Sequence, residues 1–143
     1  MKYVTKALTL AISKGLNLML EGLPGIGKTE YVKELISKAE QESQYYSLQN
    51  FQPDNYVNID LNPQRPEDGL RYLIHDELNR DTPFNLIADE YWRAQKNVQN
   101  MMLEVSGNRT LAGQKLKIKA LIAMTNPRMI EGVRQDVGLP DFA

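Results

Sequence analysis

With 143 residues, the chain has the length of one domain, and a domain of this size buries about two thirds of the surface that its unfolded chain exposes. Hydrophobic residues make up 42% of the sequence and charged residues 24%, which argues against both a disordered chain and a membrane protein. The formal net charge of −1 lacks the basic excess of a nucleic-acid-binding surface, so nucleic acid is not the expected partner. The sequence contains no cysteine, which excludes disulfides and thiolate metal sites.

The first residues loosely imitate a signal peptide, because Met1-Lys2 precedes an apolar segment over 7–12. Polar residues interrupt that segment, and its apolar positions form one helical stripe: Val4, Ala7, Leu8, Ala11 and Ile12. We therefore predict a helix over 3–14. No run approaches the roughly 20 apolar residues of a membrane span, so we expect a cytoplasmic protein without membrane contact.

The most specific motif follows a predicted buried strand over 16–21. Residues 22–29 read Gly-Leu-Pro-Gly-Ile-Gly-Lys-Thr and match the phosphate-binding pattern G-x-x-x-x-G-K-[ST] without a mismatch. A helix is predicted over 28–42, with its apolar stripe at Val32, Leu35, Ile36 and Ala39. A strand, a glycine-rich loop over 22–27 and a helix start form the context that phosphate binding requires. The alternative is a turn that is rich in glycine for steric reasons.

The residues of this phosphate loop, 22–29, have distinct expected roles around a nucleoside triphosphate. Backbone donors over 25–29 would surround the phosphates, Lys28 would place a positive charge between the β and γ groups, and the Thr29 hydroxyl would bind Mg²⁺. The predicted cofactor-binding residues are Gly22, Pro24, Gly25, Ile26, Gly27, Lys28, Thr29 and Glu30.

The middle of the chain is predicted to contain a connection, a strand and a helix. The polar stretch 41–55 is typical of an exposed connection. Apolar and polar residues alternate over 56–61, which predicts a short strand that ends before the prolines Pro63 and Pro66. Glu67 and Asp68 then indicate a helix start. The predicted buried face of that helix is Leu70, Leu73, Ile74 and Leu78. His75, the only histidine, is expected at the surface of the same helix.

A second candidate element follows the apolar strand predicted over 84–88. Asp89 and Glu90 stand at its carboxyl end, where ligands bind in open α/β sheets. Asp89 would bind Mg²⁺, and Glu90 would orient or deprotonate the water that attacks the γ-phosphate. An acid pair by itself more often marks a solvated loop, and the phosphate loop upstream favours the functional interpretation. Tyr91 and Trp92 are expected to pack in a partly buried environment.

The last part of the chain is predicted to add a helix, a hairpin turn and a strand. The helix is marked by Val98, Met101, Met102 and Val105 and is closed by 106–108; the turn surrounds 112–114. Charged and apolar residues alternate over 115–119, and residues 120–124 are continuously apolar. This pattern indicates a strand that begins at a solvent-exposed edge and continues into a sheet covered on both faces. Met101, Met102 and Met124 are expected in the core. Strands that alternate with helices predict a parallel α/β sheet.

A third candidate element, Thr125-Asn126-Pro127, follows that last strand. The amide of Asn126 offers a donor and an acceptor to the attacking water or to a γ-phosphate oxygen. A simple Asn-Pro turn is the alternative. Its position at the same sheet edge as Asp89 and Glu90 favours a role in catalysis. The predicted catalytic residues are therefore Glu90, Asn126 and Lys28, and the predicted metal ligands are Thr29 and Asp89.

The sequence resembles the AAA+ ATPases, and within them the MoxR-like branch. The resemblance is carried by the segments 21–29, 88–94, 98–99 with 103–104, and 123–127 and extends from about residue 8 to the end, with weaker support from 66–69. It implies a three-layer α/β/α P-loop ATPase, with Asp89-Glu90 as the second nucleotide motif and Asn126 as the polar sensor. It also implies assembly into a ring, usually hexameric, in which a neighbouring subunit supplies an arginine to each site.

Three departures from the family pattern set further expectations. Tyr91-Trp92 replaces the usual Ile-Asn, the arginine that should follow 139–143 is missing, and so are a fifth strand and a helical lid. Residues 1–143 are therefore expected to form one P-loop domain that is incomplete at its C-terminus, as a fragment or as a shortened relative that needs another chain. Arg93, Arg128 and Arg134 are candidate contacts to a neighbour, although surface arginines are commoner.

The main hypothesis is Mg²⁺-dependent hydrolysis of ATP, coupled in a ring to the remodelling or maturation of a protein partner. One alternative is a nucleotide-responsive assembly module that hydrolyses nothing by itself, because the arginine and lid are missing. The other is a small-molecule kinase that uses the same loop, which fits the acid pair and Asn126 less well than water activation does.

Overall fold

The computed structural model describes residues 2–22, 27–60, 71–126, 129–130 and 133–134. The helices are α1 (Lys2–Lys14), α2 (Lys28–Lys38) and α3 (Lys96–Asn108), with single 3-10 turns at Pro53–Asn55 and Tyr91–Arg93. The strands are β1 (Asn17–Glu21), β2 (Glu42–Ser47), β3 (Val57–Asp60), β4 (Arg71–Ile74), β5 (Phe84–Asp89), β6 (Thr110–Leu111), β7 (Gln114–Lys115), β8 (Ile118–Thr125), β9 (Met129–Ile130) and β10 (Val133–Arg134). None of these helices is both long and apolar enough to cross a bilayer.

The central sheet has four parallel strands in the order β1-β8-β5-β2. The strands β3 and β4, β6 and β7, and β9 and β10 form separate antiparallel pairs. The predicted parallel α/β fold is thus confirmed. Because the four strands run in one direction, their carboxyl ends meet at a single edge, and this edge carries the candidate site.

Helices cover both faces of the sheet. α1 and α2 cover one face, where the buried side chains are Leu8, Ala11, Ile12, Val32, Ile36, Ile87, Ala120, Ile122 and Met124. α3 covers the other face, where they include Val98, Met102, Val105, Leu86, Ala88, Leu121 and Ala123. Alternate residues of β8 thus enter opposite cores, which explains its continuous apolar run and confirms the three layers. Met101 is only partly buried, in contrast to the core position expected for it.

The strand β1 differs from the fully buried strand that its composition indicates. It is the last strand of the sheet on its side, and its exposure alternates. Leu18 and Leu20 pack against the α1 and α2 core, whereas Met19 is 40% exposed on the other face. Composition alone did not show this, because apolar residues on both faces of a strand look the same whether or not both faces are covered.

The helix α2 ends four residues earlier than predicted. Glu40 adopts a left-handed φ of 57°, its amide donates to the Ser37 carbonyl, and the Gln41 amide donates to the Ile36 carbonyl. This pair of reversed hydrogen bonds is a Schellman ending, in which glycine is the usual left-handed residue. The ending is hard to recognise here because glutamate occupies that position.

The polar stretch predicted as an exposed connection contains the sheet strand β2, so this prediction is wrong. All six residues of β2 pair in parallel with β5, from Glu42 opposite Phe84 to Ser47 opposite Asp89. Tyr46 is buried, with Leu48 and Phe51 just beyond the strand. Polarity misled the prediction because β2 is an edge strand whose polar side chains are used at the site.

The strand predicted over 56–61 exists as β3, but it lies outside the central sheet. It pairs antiparallel with β4, from Val57 opposite Ile74 to Asp60 opposite Arg71. The helix predicted from Glu67 is therefore wrong over 71–74, and its first residues lie outside the described part of the chain. The spacing of Leu73, Ile74 and Leu78 fits a helix, but it also fits a strand that is followed by a turn. In the structure Leu73 is 56% exposed and its neighbour Ile74 is buried, which is the alternation of a strand. His75 is exposed, as expected, but in the turn after β4.

The predicted hairpin around 112–114 is confirmed as the β6 and β7 pair. Glu104 of α3 anchors it by accepting hydrogen bonds from the Gly113 amide, the Thr110 hydroxyl and the Ala112 amide. The hydrogen bond from the Gly113 amide is the main reason why the pKa of Glu104 lies below its usual value. The predicted alternation at the solvent-exposed edge before β8 is also confirmed, because Leu116 is buried and Lys117 is exposed.

Asn85 maintains the alignment of β5 with β8. The register shifts between Phe84 and Leu86, and the buried Asn85 side chain takes over the interrupted pairing. Its Oδ1 accepts from the Ala120 amide at 3.2 Å, and its Nδ2 donates to Gln41 Oε1 at 2.9 Å and to the Glu42 carbonyl at 3.2 Å. This buried amide thus ties β5 to its neighbours on both sides.

The Asn85→Ala variant should lose about 2 kcal/mol of unfolding free energy, because it leaves the Ala120 amide buried without its acceptor. Urea denaturation followed by circular dichroism measures this loss. Asn17→Ala is the matched control: Asn17 is exposed and bonds the Ser106 carbonyl at the surface, so its loss should cost about 0.5 kcal/mol or less. Equal losses in both variants would contradict the role given to Asn85.

Candidate functional site

The candidate site begins where the phosphate loop meets α2. Gly27 is the N-cap residue of α2 and has a left-handed φ of 79°, a conformation that glycine adopts without strain. The helix then begins with Lys28 and Thr29, so the side chains of both residues stand at its N-terminus. Here the helix dipole and unpaired amides favour a negatively charged ligand.

Lys28 links two strand ends of the sheet. Its Nζ donates to the Gly22 carbonyl at 2.6 Å and to Asn126 Oδ1 at 3.3 Å. Gly22 follows β1, and its own amide donates to the Thr125 carbonyl of β8 at 3.1 Å. The structure thus brings Lys28 and Asn126 together although 98 positions separate them in the chain. Both are partly buried.

Asp89 accepts hydrogen bonds on both carboxylate oxygens. Oδ2 accepts from the Thr29 hydroxyl at 3.1 Å and from the Tyr45 hydroxyl at 2.7 Å, and Oδ1 accepts from the Glu90 amide at 2.8 Å. The first contact joins α2 to the tip of β5. The predicted pair of metal ligands, Thr29 and Asp89, is therefore assembled in direct contact.

Glu90 occupies an unusual backbone conformation. Its φ of 54° and ψ of 43° lie in the left-handed region, which is uncommon for residues other than glycine and occurs often at functional sites. The turn is held by the Arg93 amide, which donates to the Glu90 carbonyl at 3.0 Å. The Ser47 hydroxyl of β2 donates a hydrogen bond to Glu90 Oε2. Glu90 is thus directed toward β2 in this structure.

Sequence reasoning missed Tyr45 and Ser47, the two residues of β2 that contact the acids. They are two positions apart and therefore lie on the same face of the strand. The available signal was the Tyr45-Tyr46 pair, because aromatic residues favour strands. That signal was hidden by the polar residues around it.

The other residues singled out in the sequence around these motifs either stand close to the site residues in the chain or lie outside the described residues. Glu30 is exposed in the first turn of α2. Pro24, Gly25 and Ile26, as well as Arg128, lie outside the described residues, and so does the side chain of Arg134. Arg93 is partly buried in the 3-10 turn after Glu90. Tyr91 and Trp92 are buried, in agreement with the packing role expected for them.

The donor set at this edge fits Mg²⁺. Asp89 offers a carboxylate and Thr29 a hydroxyl oxygen, both hard ligands, and the hydroxyl that donates its proton to Asp89 keeps lone pairs for a metal. Within the described ranges, no group of three or more acidic, histidine or cysteine side chains could hold a metal on its own. In proteins, Mg²⁺ usually takes one or two protein ligands, and phosphate and water complete its coordination.

Comparison with known proteins identifies relatives by fold. No protein-family model matches the sequence, and no curated protein matches it. A RuvB mutant from Thermotoga maritima superimposes with a TM-score of 0.59 at 18% identity, covering 87% of this chain and 37% of that chain. NtrX from Brucella abortus in complex with ADP superimposes with a TM-score of 0.60 at 16% identity, covering 87% of this chain and 29% of that one.

These similarities concern the fold alone, because the identities are low. They support the three-layer α/β/α P-loop fold predicted for this chain. The chain spans about a third of the length of the solved proteins that it matches, since it covers 37% and 29% of them. The MoxR-like branch stays a prediction.

Proposed function

We propose that this chain binds ATP together with Mg²⁺ and hydrolyses it to ADP and phosphate. The observation that carries the proposal is that Lys28, Thr29, Asp89, Glu90 and Asn126 meet at one sheet edge, joined by direct hydrogen bonds. They come from three separate segments of the chain and would provide a cation, metal ligands, a base and a polar sensor. NtrX from Brucella abortus, which shares this fold and was solved in complex with ADP, supports a nucleotide as the ligand.

Binding would exchange existing hydrogen bonds for bonds to phosphate. The ammonium of Lys28 would leave the Gly22 carbonyl and Asn126 Oδ1 for phosphate oxygens, a gain because charge-assisted bonds are stronger than bonds to neutral acceptors. Backbone amides of the phosphate loop, with Pro24, Gly25 and Ile26 between Gly22 and Gly27, would supply further donors. The release of Asn126 would make its amide available to the γ-phosphate or to water.

Thr29 and Asp89 would hold Mg²⁺, which when bound neutralises charge on the phosphates. Glu90 would orient the attacking water and accept its proton as the water oxygen bonds to the γ-phosphorus, while the bond between the γ-phosphorus and the bridging oxygen breaks and ADP leaves. Ser47 donates to Glu90 Oε2 in this structure, and this hydrogen bond directs the carboxylate toward β2. Asn126 would stabilise the charge on the transferred group.

We further propose that the domain works in a ring of identical subunits, as the MoxR-like resemblance implies, and remodels or matures a protein partner. The support is the segment pattern around Asp89-Glu90 and Asn126 together with the AAA+ P-loop fold. An arginine from a neighbouring subunit would complete each site, with Arg93, Arg128 and Arg134 as the candidates in this chain. Such an arginine is worth about a thousandfold or more in phosphoryl transfer.

The Lys28→Ala variant should weaken ATP binding by about tenfold to a hundredfold, because it removes the cation that would pair with the phosphates. Isothermal titration calorimetry with ATP and MgCl₂ measures the change. Lys38→Ala is the matched control, since Lys38 lies on the same helix, is 70% exposed and pairs with Glu34 at 3.0 Å. If a folded Lys28→Ala protein bound ATP like the parent, the phosphate loop would not have the proposed role.

The Glu90→Gln variant should bind ATP with parental affinity but hydrolyse it about a hundredfold or more slowly, because an amide cannot accept the proton. Phosphate release under saturating ATP measures the rate, and Glu34→Gln, a substitution of an exposed glutamate on α2, serves as control. Parental turnover in Glu90→Gln would refute the proposed base.

A nucleotide-responsive module without hydrolysis of its own is the second candidate. The Ser47–Glu90 hydrogen bond favours it, because it holds the proposed base on β2 rather than leaving it for water. Turnover per subunit, measured across a wide range of protein concentration, separates the two. We expect it to rise as subunits assemble and the neighbour completes the site. A rate that stays flat while light scattering shows assembly would favour the module, and Lys28→Ala corrects for contaminating ATPase.

The small-molecule kinase is distinguished by its need for an acceptor. Water is the acceptor in the proposed reaction, so phosphate should be released from ATP in buffer alone. Release that appears only when a phosphoryl acceptor is added would support the kinase.

A further inference from the structure

One donor to Asp89 has no role in the proposed reaction. Tyr45 Oη lies 2.7 Å from Asp89 Oδ2 and shares that oxygen with the Thr29 hydroxyl. Its bond is the shorter of the two. The Glu90 amide donates to Asp89 Oδ1, so three donors among the described residues orient this carboxylate.

The ring of Tyr45 is held firmly enough to direct its hydroxyl. Tyr45 pairs with Ile87 in the register of β2 with β5, and its ring packs against the core below α1 and α2. From the α2 side, Lys33 Nζ lies 4.6 Å from the ring centroid, within the range of a cation–π contact. Lys33 stands one helical turn after Thr29. The ring is therefore set between the strand that bears it and the helix that supplies the metal-binding hydroxyl.

The hydroxyl of Tyr45 is a permanent donor at neutral pH. The pKa of a tyrosine is about 10 without any perturbation, so the phenol is protonated and can donate to the carboxylate under ordinary assay conditions.

The simpler explanation is a core tyrosine that needs a polar partner. The neighbouring Tyr46 illustrates that case: it is buried on the opposite face of β2, and its hydroxyl donates to Glu77 Oε2 at 2.7 Å, on the side away from α2. Tyr45 differs because its partner also contacts Thr29. Its hydroxyl joins a contact between two proposed metal ligands, whereas Tyr46 bonds an acid with no place in the site.

We propose that Tyr45 is a positioning residue that holds the Asp89 carboxylate beside the Thr29 hydroxyl in the arrangement that takes up Mg²⁺. The inference rests on the proposed function, since it assigns Asp89 and Thr29 to the metal. Without the phenol, Asp89 Oδ2 keeps one donor of two and the side chain can turn away from Thr29. Loss of the phenol therefore weakens the binding of the metal. It leaves the contacts of the nucleotide with Lys28 and the loop amides intact.

The test compares nucleotide binding with and without metal in the Tyr45→Phe variant, which keeps the ring and its packing. Fluorescence of N-methylanthraniloyl-ATP reports affinity in EDTA and across a MgCl₂ titration. We expect the Mg²⁺ midpoint to rise about threefold to tenfold, the effect of losing one typical hydrogen bond, with the affinity in EDTA unchanged. Tyr46→Phe, the matched control, should leave both values at those of the parent.

A double substitution tests whether Tyr45 acts through Asp89. Asp89→Asn should raise the Mg²⁺ midpoint more than Tyr45→Phe does, and adding Tyr45→Phe to it should have no further effect. Additive effects would overturn the proposal, and so would an unchanged midpoint in Asp89→Asn. Thermal unfolding of every variant establishes that the protein remains folded in the assay.

The remaining outcomes separate this inference from the proposed function. If the parent binds the nucleotide with Mg²⁺ and Tyr45→Phe has the parental midpoint, the role of Tyr45 is refuted while the nucleotide site stands. A variant that loses affinity equally in EDTA and in MgCl₂ shows general loss of packing, which also refutes it. A folded parent that binds no nucleotide refutes both proposals.

Discussion

The parallel alignment of four strand ends is the constraint on which the candidate site depends. Glu21 is opposite Thr125, Ala88 is opposite Ala123, and Ser47 is opposite Asp89, so β1, β8, β5 and β2 end at the same edge of the sheet. The residues that follow these ends are then neighbours whatever their distance in the chain. The buried amide of Asn85 keeps β5 aligned where its pairing with β8 shifts, at the opposite end of the strand from Asp89. A slip of one residue would turn Asp89 to the other face of the sheet.

The hydroxyl groups of β2 stabilise two adjacent acids at that edge. Asp89 and Glu90 carry like charges next to each other, and Tyr45 and Ser47 each donate to one of them. This accounts for the polar character of β2: as an edge strand it needs few apolar side chains, and its partly buried residues Gln44, Tyr45 and Ser47 have hydrogen-bond partners. The same contacts tie the orientation of the proposed base and of the proposed metal ligand to a strand outside the phosphate loop.

The sequence predicted the local elements well wherever one pattern was decisive. The helices α1, α2 and α3, the β6 and β7 hairpin and the strand β8 all follow from periodicity and turn residues. It failed at β2, where polarity was taken for exposure, and at β4, where the spacing of Leu73, Ile74 and Leu78 fits a helix as well as a strand and a turn. In both places the pairing partner, β5 or β3, decides the structure, and pairing across the chain leaves no trace in a local pattern.

The sequence by itself determined the chemistry available to this protein: a phosphate-binding motif ending in Lys28 and Thr29, and polar residues at the ends of two apolar strands. Those features are local, since a short segment determines a turn, a helix start or a strand end. The tertiary structure alone decided that Lys28 meets Asn126, that Thr29 meets Asp89, and that Tyr45 and Ser47 hold the two acids. The reason is physical: these contacts join segments dozens of residues apart, and only the order and register of the strands bring them within reach.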